Sequence, residues 1–176
     1  MIDALVIACG NPLRGDDGVA HIVADAILAW QLPDTRVMSV HQLMPELIDD
    51  MKSAKSVVFV DAGMNTDAPF RARELKPKQS RRHFGHHETP ENLLSILAEL
   101  EDSLPGAWLV SIRGQSFNHG DALTDAARQH ANEALSWLHE FINCARTQGL
   151  RVDVGENSDN VRSCHELLSQ HGVLRA

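Results

Sequence analysis

Three apolar runs constrain this chain more than any other feature: Ala4-Leu5-Val6-Ile7-Ala8-Cys9, Ser56-Val57-Val58-Phe59-Val60, and Trp108 to Ile112. A run without polar alternation suits a strand covered on both faces, which is the situation of an interior strand in a parallel sheet. The cover must come from helices, and the segments between the runs have helical spacing. Val19, Ile22, Val23, Ala26, Ile27 and Trp30 recur at helical intervals up to Pro33. Pro45 to Met51 opens a second helix with proline where it is tolerated, and Thr89 followed by Pro90 caps a third whose stripe is Leu93, Leu94, Leu97 and Leu100. Asp121 to Cys144 is a long amphipathic helix with Leu123, Ala127, Ala134, Leu138 and Ile142 on one face. Arg36 to Val40 reads as a second strand and Phe70 to Leu75 as an edge strand. Strands alternating with helices imply right-handed parallel crossovers, so the predicted fold is an α/β three-layer sandwich, a mostly parallel twisted sheet of about five strands flanked by helices.

With 176 residues the chain has length for one domain and little more. We expect that domain over residues 1–146 and a partly flexible tail over 147–176, because Thr147 to Asn160 is polar and aperiodic; Val161 to Leu168 reads as a short terminal helix. The net charge of −8 disfavours nucleic acid and anionic membrane surfaces as partners. The start lacks a basic segment, and no window approaches the ~20 apolar residues of a spanning helix, so a cytoplasmic protein is expected. Three cysteines, Cys9, Cys144 and Cys164, without CxxC spacing argue against a disulfide framework and a thiolate zinc site.

In such sheets ligands bind beyond the carboxyl ends of the strands, where strand order reverses. The loops to inspect are Gly10 to Gly18, His41 to Met44, Ala62 to Pro69, and Lys76 to Pro90. The first reads Gly10-Asn11-Pro12-Leu13-Arg14-Gly15-Asp16-Asp17-Gly18. Two adjacent carboxylates repel phosphate, and neither GxGxxG nor a P-loop lysine is present, so nucleotide binding is disfavoured. One of the two aspartates is expected to cap the helix from Val19, and the other is more than a cap requires. Asp61 follows four apolar strand residues, a depth at which a carboxylate must be hydrogen-bonded, paired or bound to a cation. Alone it reads equally well as a structural aspartate, and His86 and His87, close to His83 in an irregular stretch, read alone as solvated. Together they say more. With strands ordered 2-1-3, the first loop and Asp61 meet at one edge and the His86 loop folds over them, an O,O,N donor set suited to a borderline divalent ion such as nickel or zinc.

The first loop, then Phe59-Val60-Asp61-Ala62, then His86-His87-Glu88-Thr89-Pro90 with Leu93-Leu94, resembles the hydrogenase maturation endopeptidases, which trim the carboxyl-terminal extension from the large-subunit precursor of nickel-iron hydrogenases. Val110-Ser111-Ile112-Arg113-Gly114-Gln115-Ser116-Phe117 resembles the family's last strand and final helix entry. His41-Gln42-Leu43-Met44-Pro45-Glu46-Leu47 resembles members that serve soluble, cofactor-reducing hydrogenases. Carried over by position, the family's metal-contacting and catalytic residues fall on Asp17, Asp61 and His86, the last because it lies three residues before Thr89. Asn11, Asp16, Gln42 and His87 are expected as substrate contacts. The chain departs from the family pattern in having Asp17 where glutamate is common, Ala20 for glycine, and Pro69-Phe70 for Pro-Gly.

The resemblance implies hydrolysis of one peptide bond after nickel insertion, with the nickel supplied by the precursor and zinc or another divalent ion able to take its place in vitro. Nucleophilic alternatives are weaker: Cys9 lies in a buried strand, and Ser116 and His119 with Asp61 lack a nucleophile-elbow pattern. A non-catalytic chaperone that inspects the nickel-loaded subunit and a Rossmann-like small-ligand module are the rival readings.

Overall fold

A computed structural model of the chain describes residues 1–64, 67–78, 88–148 and 151–152. Strand β1 (Ile2–Cys9) leads through a 3-10 turn (Gly15–Gly18) into α1 (Val19–Ala29), then β2 (Thr35–Val40). A 3-10 turn (Pro45–Leu47) and α2 (Ile48–Met51) precede β3 (Ala54–Gly63) and β4 (Phe70–Glu74). Then come α3 (Pro90–Leu100), β5 (Leu104–Arg113), α4 (Asp125–Gln148) and the two-residue β6 (Arg151–Val152). The sheet order is β2-β1-β3-β5-β4, with β6 pairing β5. The β2–β1, β1–β3 and β3–β5 pairs are parallel, and β4 and β6 run antiparallel to β5. This is the expected three-layer arrangement with 2-1-3 order at its centre.

The continuous apolar runs are explained by burial on both faces. Ala4, Val6 and Ala8 of β1, with Val58 and Val60 of β3 and Val110 and Ile112 of β5, pack under α1 and α4. The alternate residues Leu5, Ile7, Val57, Phe59 and Ala107 pack against Met51, Leu93, Leu94 and Leu97 on the opposite face. Each such Leu, Ile or Phe removed from water contributes roughly 1.5–3 kcal/mol before entropy is counted, so both helical layers are needed to hold the central strands. Thr89 caps α3 as expected, its hydroxyl accepting from Asn92 N at 3.3 Å. Leu100 departs from the stripe: it is the last residue of α3 and is exposed.

The long helix starts at Asp125 rather than Asp121. Thr124 is its cap, its Oγ1 accepting from Ala127 N at 3.1 Å, while Asp121 is held outside the helix by Ser116 and Asn118. The helix runs to Gln148, and Arg151 and Val152 pair with Pro105 and Leu104, so part of the stretch read as linker is ordered. The reading of Val161 to Leu168 lies outside the described residues. Of the three cysteines, Cys9 is a free thiol and Cys164 lies outside the described residues. Among the described residues no helix is long and apolar enough to cross a membrane.

Candidate functional site

Because β1 lies between β2 and β3, the loops leaving these three strands crowd together at the carboxyl end of the sheet. The chain leaves β1 at Gly10 with φ +150°, and a Cβ there would sit 2.0 Å from the carbonyl oxygen of Asp17, so only glycine permits the return of this loop. Asp17 then closes it, Oδ2 accepting the Asn11 N–H at 2.9 Å, while Asn11 Oδ1 accepts from Leu13 N at 2.9 Å. Gly10 N–H donates to Val40 O at 3.1 Å, tying the end of β1 to the end of β2.

An open cleft of about 290 Å³ lies over these strand ends. Cys9, Gly10 and Asp17 line it from β1 and its loop, and His41, Gln42 and Leu43 from the loop after β2. Asp61, near the end of β3, and Glu88, Thr89 and Pro90 at the entry to α3 complete it. Burial pushes the Asp61 carboxyl up to about 6; the Ala62 N–H, donating to Oδ1 at 2.8 Å, opposes this, and the charge of Asp17 adds to it. Among the described residues neither Asp17 nor Asp61 pairs with lysine or arginine; the ion pairs lie elsewhere, at Arg36–Asp50, Lys52–Asp49, Lys55–Asp3 and Arg73–Glu91. Two unpaired, like-charged carboxylates in one cleft attract a cation.

Asp16, one residue earlier, behaves differently. It is fully buried and accepts from Gln115 N at 2.7 Å, Ser116 N at 3.0 Å, Thr124 N at 2.7 Å and Thr124 Oγ1 at 2.9 Å. Burial raises its pKa, but these bonds outweigh burial and hold the carboxyl below its usual value. Asp16 N–H in turn donates to Ser116 O at 2.8 Å, completing a latch between the first loop and the β5–α4 loop.

The sequence expectations sort accordingly. Asp17, Asp61 and Gln42 come together in the cleft. Asp16 is corrected from substrate contact to buried latch, since its oxygens are occupied by the protein, and Asn11 helps to close the first loop. Neither aspartate caps α1, whose start has no side-chain cap. His86 and His87 lie outside the described residues, and among the described residues no group of three His, Cys, Asp or Glu is arranged to hold a metal ion. Cys9 lines the cleft, and burial, reinforced by Asp61 and Asp17, pushes its thiol up to about 11, which favours the protonated form. Ser116 donates to Asp121 and lies outside the cleft lining, so no Ser116-His119-Asp61 triad assembles. His41 and Glu88 were missed as site residues, although the position just beyond β2 in a doubly wound sheet was the available signal for His41.

No protein-family model and no curated protein matches the chain. Solved structures do resemble it. The NiFe-hydrogenase maturation protease HycI from Thermococcus kodakarensis superposes with TM-score 0.63 at 18% identity, covering 80% of this chain and 92% of the other. The hydrogenase maturating endopeptidase HybD from Escherichia coli gives TM-score 0.64 at 18% identity, covering 81% and 93%. The hydrogenase 2 maturation peptidase from a Thaumarchaeota archaeon gives 0.57 at 23%, covering 78% and 95%. Across most of its length, then, this chain has the fold of the hydrogenase maturation endopeptidases.

Proposed function

We propose that this protein is a cytoplasmic endopeptidase that removes the C-terminal extension of a nickel-iron hydrogenase large-subunit precursor once nickel has been inserted. The observation that carries the proposal is the pair Asp17 and Asp61. Asp17 comes from the turn after β1 and Asp61 from β3; they share one open cleft and stand close enough for the charge of Asp17 to raise the pKa of Asp61. The solved structures with this fold are described as maturation proteases, which supports peptide hydrolysis over the rival readings.

The nickel belongs to the substrate. Asp17 and Asp61 are oxygen donors suited to contacting a divalent ion that the precursor already ligates, and contact relieves their mutual repulsion. His86 is the third contact in this reading. The ion would polarise the scissile carbonyl, and Asp61, at the same strand end, is placed to accept a proton from the attacking water. Among members of this fold, a precursor of a soluble, cofactor-reducing hydrogenase is the proposed partner, on the His41 to Leu47 segment.

The test is to incubate a precursor carrying its extension with the wild-type protein and with Asp17→Asn, and to weigh the products. Loss of the extension with wild type alone is expected. A precursor that co-purifies uncut favours the chaperone, and thermal stabilisation by a nucleotide without cutting favours the ligand module.

A further inference from the structure

We infer that His41 is a catalytic residue of this cleft, delivering a proton to the leaving nitrogen from the side opposite Asp61. The inference rests on the peptidase reading above. His41 is the first residue beyond β2, is exposed, and lines the cleft. Asp61 stands near the end of β3, and β1 lies between the two strands. At ~4.8 Å between neighbouring strands, the ends of β2 and β3 are about 10 Å apart. That spacing agrees with the lack of a three-donor cluster among the described residues: His41 does not share one ion with Asp17 and Asp61. It does leave room for a peptide backbone lying over the end of β1, with a carboxylate on one side and an imidazole on the other.

The backbone that carries His41 is fixed. Gly10 N–H holds Val40 O at 3.1 Å, and the Cys9 thiol points to His41 O at 3.9 Å. Behind the ring stands His21, with ring centroids 6.2 Å apart at 58°, and His21 Nε2 is itself 2.7 Å from Gly10 O. These contacts fix the backbone at His41, and His21 is not among the residues that line the cleft. The charged and titratable groups sharing the cleft with His41 are Asp17, Asp61, Glu88 and the neutral Cys9 thiol.

A peptide nitrogen leaves poorly unless it is protonated, which is the role assigned to His41. Water oxygen bonds to the scissile carbonyl carbon and its proton passes to Asp61. As the C–N bond breaks, the electron pair stays on nitrogen, which takes a proton from the His41 imidazolium. The proton on Asp61 returns to His41 through solvent, so one water is consumed and both residues are restored.

The experiment measures cleavage of a nickel-loaded precursor by wild type, His41→Ala and His41→Gln. Both variants are expected to lower kcat by about 100-fold or more, with KM and melting temperature within the error of wild type, and imidazole added to the buffer is expected to restore part of the His41→Ala rate. Wild-type cleavage with normal kcat in His41→Ala overturns the role of His41 and leaves the peptidase reading standing, as does a loss confined to KM. Failure of imidazole to rescue a folded His41→Ala, or normal kcat in His41→Gln, also overturns proton delivery. Failure of wild type to cut overturns both.

Discussion

Two neighbouring aspartates divide the first loop into a latch and a cleft wall. In the latch, Asp16 is completely buried and every contact answers its charge: three backbone N–H groups and one hydroxyl hold it ionised. In the cleft, Asp61 is half-buried with one backbone donor and a second carboxylate nearby, and its pKa rises to about 6. Buried polar groups are normally satisfied within the fold. Where satisfaction is complete the group serves structure, and where like charges are left facing one another we propose that the partner comes from outside the chain.

The largest test of this division is on activity. Asp17→Asn and Asp61→Asn are each expected to lower the rate of precursor processing by about 1,000-fold or more, since both transition-state charge contacts are worth several kcal/mol, while circular dichroism stays native. Normal cutting by either variant would merge the cleft with the latch as mere scaffold. The opposite pattern is expected for Asp16→Ala, which leaves three backbone N–H groups without their acceptor. It should lower unfolding free energy by about 3–5 kcal/mol in denaturant titrations, and an unchanged midpoint would show that the latch carries no stability.

Asp61 gives a third comparison, with a sign that separates it from Asp16. Its folded-state pKa is raised, so the neutral form favours folding; its contribution is fully present below pH ~4 and is lost as pH rises through about 6. Asp61→Asn, which does not titrate, should therefore match wild type at pH 4 and exceed it by on the order of 2 kcal/mol at pH 8, read by urea melts at both values. A variant less stable at pH 8 would mean that Asp61 is a satisfied structural carboxylate. The smallest effect is expected at Thr124→Val, which removes one hydroxyl bond to Asp16 and the α4 cap, costing about 1–2 kcal/mol in the same melts.

The same contrast explains what could be read from the chain. The strands β1, β3 and β5 were legible because burial on both faces removes polar residues from Ala4 to Ala8, Val57 to Val60 and Trp108 to Val110. Asp17 and Asp61 were legible because a carboxylate beside a helix start and another after an apolar strand both demand a partner. The latch was not legible, since Gln115, Ser116 and Thr124 lie about a hundred residues from Asp16 and nothing local marks them. For the same reason the start of α4 was placed too early: Asp121 looks like a helix start until Ser116 and Asn118 claim it. The pairing of Arg151–Val152 with Leu104 and Pro105 has no periodicity long enough to register. The His41 to Met44 loop was legible from strand order, but nothing in the sequence singled out His41 within it.

The central claim is that the cleft acts on a metal already held by its substrate. The most direct measurement compares nickel-free and nickel-loaded precursor, incubated with equal wild-type protein and weighed over time. The account predicts loss of the extension from the nickel-loaded form only, with no rescue of the nickel-free form by zinc added to the enzyme. Equal cleavage of both forms would contradict it and would place the metal, or a nucleophile, in the enzyme itself.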